Sequence, residues 1–310
     1  MANVLVTGGA GFIGSHLVDF LVNKDYEVTI LDNLSTGNVS NLKQAFMKDR
    51  VTFVQGDVRD FVTVSKCVRE KDAVIHLAAL TNIPRSMENE TETFDVNTKG
   101  TLNVLKACES SRVNKFIFAS SCAVYGEPNS IPTNEDHPIR PSSPYASSKA
   151  RAELLCQEFA SHRSLNTISF RLFNVYGPRQ NHGAVIREFI DKVEQGEAPV
   201  VFGNGEQTRD FVFIDDVVRA ISLGLQSNGL GMHYNLGSGQ RICINELLRQ
   251  IGIIHEEDSV DAAYQPPRKG DVRHSQADIT RIREELSFEP SVNLDKGLHL
   301  MVQSLAKGDL

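Results

Sequence analysis

A glycine-rich turn between an apolar run and an amphipathic segment constrains this chain more than any other feature. Residues 3–7 (Asn-Val-Leu-Val-Thr) read as a short strand, and Ile13, Leu17, Val18 and Leu21 supply the apolar positions of a helix over 12–22. Between them Gly8, Gly11 and Gly14 form Gly-x-x-Gly-x-x-Gly, and Gly9, Gly11 and Gly14 also satisfy Gly-x-Gly-x-x-Gly. Such a turn lets main chain approach a pyrophosphate, packs helix closely on strand, and presents the helix N-terminus to the anion. A second strand over 27–31 ends on Asp32, 18 residues beyond Gly14, where a carboxylate can take the ribose hydroxyls of NAD. No Arg or Lys lies between Asp32 and Lys43, so NAD is preferred over NADP.

The same rhythm continues down the chain. Strands are expected over 51–55, 73–78, 115–119 and 166–172, with helices near 61–70, 93–110 and 144–161. Strands alternating with helices in this way imply a parallel sheet covered on both faces. Ligands of open α/β sheets sit beyond the C-terminal strand ends, which makes Asp57-Val58 a candidate for adenine and Ala78-Ala79-Leu80 a candidate for the nicotinamide side. A turn aspartate and small packing residues are equally good readings of those two segments. Beyond residue 174, glycines and prolines punctuate shorter segments, as in a substrate-binding region built on loops. Residues 211–214 and 232–236 read as strands flanking a helix near 216–226 that return to the main sheet, so the smaller domain is discontinuous. Further helices are expected over 245–251, 279–286 and 294–306, and Glu256-Glu257-Asp258 reads as a solvated loop.

Composition narrows the function classes. A net charge of -7 gives no global pull towards nucleic acid or an anionic membrane. The five cysteines, at 67, 108, 122, 156 and 243, include no Cys-x-x-Cys, and the nine histidines show no metal-ligand spacing, so neither a disulfide framework nor a metal site is expected. No apolar run approaches the ~18 residues of a membrane span, and the N-terminus carries no secretory pattern. The expectation is a cytoplasmic protein.

A second centre lies between Ser120 and Lys149. An apolar run from Lys115 breaks at Ser120-Ser121-Cys122-Ala123-Val124-Tyr125-Gly126, and Tyr145-Ala-Ser-Ser-Lys149 then opens a helix with Tyr and Lys on one face. Taken in order, TGGAGFIG, Asp32-Asn33-Leu34-Ser35, Gly56-Asp57-Val58, His76-Leu-Ala-Ala79, Ser120-Ser121, Val124-Tyr125-Gly126, Tyr145 to Lys149 and Phe173-Asn174-Val175-Tyr176-Gly177-Pro178 resemble the extended short-chain dehydrogenase/reductase family. Within it the chain is similar to nucleotide-sugar epimerases of the UDP-glucose 4-epimerase type, over essentially its whole length.

The resemblance implies an α/β fold, a Rossmann-type doubly wound parallel sheet with a smaller, discontinuous α/β substrate-binding domain. The NAD-binding domain would comprise 1–177 and 211–237, and the UDP-sugar domain 178–210 and 238–310. It further implies cofactor contacts from Gly8, Gly11, Phe12, Ile13, Gly14, Asp32, Asn33, Ser35, Asp57, Val58, Leu77, Ala78, Ala79, Asn97, Tyr145 and Lys149. Ser121, Tyr145 and Lys149 would be catalytic: Tyr145 as base towards the sugar 4-hydroxyl, Lys149 stabilising its phenolate, Ser121 hydrogen-bonding the same oxygen. Hydride would pass from C4 to a tightly held NAD and return to the other face of a transient 4-keto sugar. UDP-sugar contacts would come from Ser121, Tyr145, Asn174, Val185, Phe202, Arg209, Arg268, Asp271 and Ser275. Arginine suits the phosphates because it is permanently charged and forks onto oxygen pairs.

Two positions refine the reaction and the substrate. Related 4,6-dehydratases and UDP-glucuronate decarboxylases carry an acid just before the Val-Tyr-Gly, whereas here Cys122 and Ala123 stand between Ser121 and Val124. Loss of a proton-transfer carboxylate removes roughly 10²- to 10⁴-fold of catalysis, which favours epimerisation over elimination. Ser275, four residues beyond Asp271, occupies a family position where bulky Tyr restricts the pocket to glucose and galactose. Together with Pro84-Arg85-Ser86 it implies activity on both UDP-Glc/UDP-Gal and UDP-GlcNAc/UDP-GalNAc. The alternatives are an enzyme acting on another sugar nucleotide such as a UDP-uronic acid, and a non-catalytic NAD-binding protein. The second would be expected to have a broken Ser/Tyr/Lys set, and this set is intact. A homodimer through the helices near 93–110 and 144–161 is implied by the resemblance.

Overall fold

The computed structural model describes residues 2–163, 165–257, 259–268 and 271–307. Its centre is a seven-stranded parallel sheet formed by β1 (Asn3–Thr7), β2 (Glu27–Asp32), β3 (Val51–Gln55), β4 (Ala73–His76), β5 (Lys115–Ser121), β6 (Asn166–Leu172) and β7 (Met232–Leu236). In space the strands run β3-β2-β1-β4-β5-β6-β7, so the order reverses between β1 and β4. That reversal opens a crevice at the C-terminal strand ends, where the glycine turn follows β1.

The sheet is covered on both faces because its strands alternate between two apolar cores. Val4, Val6, Ile30, Ile75, Ile117 and Ile168 point into one core, which takes α1 (Phe12–Asn23) and a helix at Ile214–Gln226. Leu5, Leu31, Val74, Phe116 and Phe118 point into the other, with α2 (Phe61–Val68), α3 (Gly100–Ser111) and α4 (Pro144–Arg163). Every residue of β4 and β5 is buried, whereas the edge strand β3 keeps only partial burial. This is the difference expected between central and edge strands of a parallel sheet.

Two elements depart from the sequence reading. The helix expected over 93–110 is three pieces: Glu90–Phe94, a π-helical turn at Asp95–Lys99, and α3. Within the π turn the buried Asn97 amide accepts from Leu80 N–H at 2.8 Å and donates to Leu80 C=O at 2.9 Å and to Ser148 Oγ at 2.9 Å. The wider turn thus carries a side chain that holds the loop after β4 and α4 together, a use typical of π bulges. The second departure is Phe211–Phe213, which does not join the main sheet but pairs in parallel with Asn174–Tyr176. Met232–Leu236 does join it, beside β6. Smaller two-stranded pairings join Val200–Phe202 to Ala263–Gln265 and Thr208–Arg209 to Ile242–Cys243. Asp258, and Lys269 and Gly270 of the Arg-Lys-Gly-Asp element, lie outside the described residues. Among the described residues no helix is long and apolar enough to cross a membrane.

Candidate active site

Two cavities meet beyond the C-terminal ends of the strands. The larger, of about 580 Å³, runs along the glycine turn and is lined by Gly8, Gly11, Phe12, Ile13, Gly14, Asp32, Asn33, Ser35, Val58, Leu77, Ala78, Ala79, Tyr145 and Lys149 among others. The smaller, of about 170 Å³, is lined by Ser121, Cys122, Tyr145, Asn174, Arg209, Asp271, His274 and Ser275 among others. Tyr145 and Leu172 belong to both.

The larger cavity has the chemistry of a dinucleotide site. Gly8 adopts φ +70°, and a Cβ there would stand 2.7 Å from Ala78 N. A Cβ on Gly14 would stand 2.1 Å from Gly8 C=O, so helix and turn touch only because both positions lack side chains. At the start of α1, Gly11 offers no side-chain cap, leaving the first-turn amide donors available to an anion. The Asp32 carboxylate is fixed from behind, accepting from Ala10 N–H at 2.9 Å and Leu34 N–H at 2.8 Å, and lines the cavity. Two lone-pair directions remain for hydroxyl donors. These features fit NAD.

Beneath the crevice, Thr7 Oγ1 lies 2.6 Å from His76 Nδ1, and His76 Nε2 lies 3.0 Å from Thr101 Oγ1. The ring is fully enclosed, and burial pushes its pKa down to about 3. A neutral imidazole therefore ties β1, β4 and α3 together at the switch point.

The reactive cluster is built by docking α4 on β5. Tyr145, Lys149 and Glu153 follow at one-turn intervals on the buried face of α4. The Tyr145 phenol is hydrogen-bonded to Ser121, yet burial pushes its pKa up to about 12, with Cys122 acting in the same direction. Lys149 Nζ donates to Ala119 C=O at 2.7 Å rather than to Tyr145, and stands 4.9 Å from the centre of the Phe118 ring. Burial pulls its ammonium down to about 8. The Ser143 hydroxyl accepts from Ala146 N–H at 3.1 Å and Ser86 Oγ accepts from Tyr145 N–H at 3.2 Å, which sets the start of α4.

Glu153 and Arg171 were not singled out as site residues in the sequence. The Glu153 carboxylate accepts from Ser120 Oγ at 2.7 Å and pairs with Arg171, both ionic partners being almost wholly buried. Arg171 Nη1 donates to Tyr125 Oη at 2.9 Å, and Tyr125 Oη donates to Asn235 Oδ1 at 2.6 Å. The tyrosine of the Val-Tyr-Gly segment therefore faces this network, and burial raises its pKa. A signal did exist: Glu153 continues the Tyr145/Lys149 face, and Arg171 is the one charged residue of β6.

Placement of the expected residues is uneven. Asp57 does not line the larger cavity; its neighbours Gly56, Val58 and Arg59 do. Asn97 is likewise set back, holding Leu80, which does line it. In the smaller cavity Arg209 donates to Asp271 at 2.6 Å and to the carbonyls of Thr208 and Arg273 at 2.8 and 3.3 Å. Ser275 is hydrogen-bonded to the Cys122 thiol, whose pKa burial pushes up to about 12. Val185, Phe202 and Arg268 line neither cavity. Val185 begins a helix at Val185–Glu194, and the Arg268 guanidinium covers the Phe202 ring at 3.8 Å from its centre. Other lining residues were not foreseen, among them Arg59, Glu92, Gln180 to Ala184, Ser142 and Ser143.

Comparison with known proteins agrees with this geometry. Residues 4–237 match the family model described as the NAD dependent epimerase/dehydratase family. The chain belongs to that family. A putative UDP-glucose 4-epimerase of Methanocaldococcus jannaschii is 40% identical over 306 residues, covering 96% of this chain and 97% of the relative. Among solved structures, a UDP-N-acetylglucosamine 4-epimerase from Methanobrevibacter ruminantium M1, in complex with UDP-N-acetylmuramic acid, is 38% identical with a TM-score of 0.94 over 99% of both chains. A UDP-glucose 4-epimerase from Thermotoga maritima with UDP-glucose is 37% identical with a TM-score of 0.93, again over 99% of both. The family and the Rossmann-type parallel sheet are those the sequence implied.

Proposed function

We propose that this chain is an NAD-dependent UDP-hexose 4-epimerase acting on UDP-Glc/UDP-Gal and on UDP-GlcNAc/UDP-GalNAc. The observation that carries the reading is the junction of the two cavities at Tyr145, with Ser121 on one side and Lys149 on the other and no carboxylate between Ser121 and Val124. Relatives and solved structures named as 4-epimerases support it.

In this reading the first-turn amides of α1 take the dinucleotide diphosphate and Asp32 the adenosine ribose, with Leu77, Ala78 and Ala79 beside the nicotinamide. Bound NAD⁺ supplies the acceptor for the hydride of sugar C4 and adds positive charge near Tyr145. Tyr145 Oη takes the proton of the 4-hydroxyl, and Ser121 Oγ stays hydrogen-bonded as the charge moves. Burial alone opposes that role: bringing a phenol from about 12 to neutrality takes roughly 7 kcal/mol of differential interaction at about 1.4 kcal/mol per unit. Protonated Lys149 contributes part of it, and the charge that arrives with the cofactor the rest. Reprotonation of the sugar oxygen by the same Tyr145 closes the cycle with no net redox change.

On the substrate side, Asn174 and Arg209 face the diphosphate, Asp271 the uridine ribose, and Ser275 the C2 substituent. Contacts from Phe202 and Arg268 to the nucleoside require the Arg268 guanidinium to leave the Phe202 ring. Val185 acts through the start of its helix. Segments 1–177 with 211–237 form the cofactor domain and 178–210 with 238–310 the sugar-nucleotide domain. The protein is cytoplasmic and a homodimer through the π-interrupted helix and α4, where Leu154 is 63% exposed on the outer face. Purified protein incubated with UDP-Glc, UDP-GlcNAc and UDP-glucuronate, without added cofactor, tests the reading by separation of products. Conversion of the first two supports it; conversion of the uronate alone overturns it.

A further inference from the structure

Residues that no motif singled out, Gln180 to Ala184, line the larger cavity together with Gly11, Phe12 and Ile13 at the start of α1. Their loop is held at both ends. Gln180 Nε2 donates to Val175 C=O at 2.7 Å. Beyond the loop, Asp191 in the helix at Val185–Glu194 lies 2.9 Å from His182 Nδ1 and accepts from Arg187 Nε at 2.7 Å.

A further hold comes from α1. Phe12, His16 and Asp19 stand on one face of that helix, and the last two reach the residues just before the loop. His16 Nε2 lies 2.9 Å from Pro178 C=O; a carbonyl only accepts, so this nitrogen carries the proton. Burial pulls the ring down to about 4, so it stays neutral, and it packs edge-on against the Phe12 ring at 5.9 Å. Arg179 Nη1 donates to Asp19 Oδ2 at 2.7 Å, each side chain only 14% exposed. Burial opposes the charge on Asp19, and Arg179 offsets it. Arg179 also sits at φ +60°, a left-handed conformation disfavoured for a residue with a Cβ. Such strain persists where the surroundings over-determine it; here the ion pair and the bond to Pro178 do so.

We infer that His16 and Asp19 are positioning residues for the bound cofactor. Through Pro178 and Arg179 they clasp residues 180–184 to the helix whose N-terminus meets the diphosphate, and the opening of that clasp limits how fast NAD leaves. Gly183, at φ +95° with no heavy atom within 4 Å of a Cβ built there, gives the released loop room to swing. A clasp suits an epimerase, whose hydride returns to the sugar from the same nicotinamide, so that the dinucleotide need not exchange between turnovers.

The inference rests on the larger cavity being the NAD site. Its test is the release rate of bound NAD from purified holoprotein, followed after dilution into an NAD-consuming trap, alongside the urea midpoint of each nucleotide-free variant. Arg179→Gly keeps the left-handed turn without strain but removes the pair, and the Asp19 carboxylate left behind can take a proton. It should speed release about tenfold or more, a change smaller than the usual cost of breaking a buried pair from one side. Asp19→Ala should do the same, and the double variant should be no faster than either, because both act through one contact. His16→Leu, which loses the donor, should speed release about threefold. Release within twofold of wild type in Arg179→Gly and Asp19→Ala overturns the inference even if their midpoints fall, because contacts that only pack would lower stability and leave release unchanged. An additive double variant overturns it as well, since two residues acting separately form no clasp. Wild-type protein that neither retains nor binds NAD would overturn the cofactor reading instead.

Discussion

The two cavities that meet at Tyr145 are built by opposite means. The larger is shaped mainly by main chain and by missing side chains: Gly8 and Gly14 let the turn, α1 and the loop after β4 touch, and donors come from a helix end. The smaller is shaped by side chains from separate segments, with Ser121 and Cys122 after β5, Asn174 after β6, and Arg209, Asp271 and Ser275 from beyond residue 200. A cavity of the first kind tolerates no added Cβ at its turn; a cavity of the second kind can change its ligand by single substitutions. The shared wall, β5 with α4, should be the place where changes damage both.

The largest effect is expected at that wall. Tyr145→Phe removes the proton acceptor, so turnover with UDP-Glc should fall by about 10²- to 10⁴-fold while NAD content, read from the absorbance and extracted nucleotide, stays at the wild-type level. Loss of NAD together with turnover would mean that Tyr145 is chiefly a wall of the larger cavity.

Next comes the network behind the wall. Glu153→Ala leaves Arg171 as a buried, uncompensated charge and frees Ser120 Oγ. Breaking a buried pair from one side costs about 3–5 kcal/mol, and the urea midpoint should drop accordingly. If stability holds but epimerisation falls, the pair serves the reaction centre alone.

What was legible in the sequence follows the same division. The glycine turn, Asp32 and the strand rhythm are local, because a strand, a turn and a helix adjacent in sequence make the larger cavity. The departures come from contacts that no local period encodes. Asn97 reaches Leu80 and Ser148 and the helix widens into a π turn around it; Phe211–Phe213 finds Asn174–Tyr176 instead of the main sheet. The Asp57–Arg59 fork is close in sequence, yet no local period encodes its geometry. In the smaller cavity, Arg268 lies against Phe202 and outside the lining, a position set by a cation and a ring far apart in the chain.

A third test separates the wall's electrostatics from its packing. Lys149 titrates at about 8 in the folded protein against an ordinary 10.5. Between those values the unfolded chain binds more protons, so stability rises with pH across that window, and the cost of the buried charge is fully present below it. The span corresponds to about 3 kcal/mol. The buried thiols of Cys108, Cys122 and Cys156 act oppositely above their ordinary range, since their folded pKa values are raised. The readout is therefore the difference between nucleotide-free wild type and Lys149→Met in urea, at pH 7 and pH 10. The deficit of wild type should shrink by most of that amount, since pH 10 lies just below the unfolded value; a difference independent of pH would place Lys149 in a wetter site.

The smallest effect probes the side-chain-built cavity alone. Ser275 is 7% exposed, its N–H is held by Thr208 C=O at 3.0 Å, and its hydroxyl meets Cys122. With the main chain fixed, a tyrosine there has to extend into a cavity of about 170 Å³, across the space proposed for the C2 substituent. Ser275→Tyr should lower kcat/KM for UDP-GlcNAc about tenfold, a loss of roughly 1.4 kcal/mol, and affect UDP-Glc less. NAD release should not change, because the larger cavity lies on the other side of Tyr145. Ser275→Ala separates crowding from the lost hydrogen bond to Cys122: it adds no bulk, so both substrates should turn over near the wild-type rate. Equal losses for UDP-Glc and UDP-GlcNAc in Ser275→Tyr would instead mean that the tyrosine displaces Cys122 and with it the Ser121–Tyr145 contact, making position 275 part of the shared wall rather than a gate.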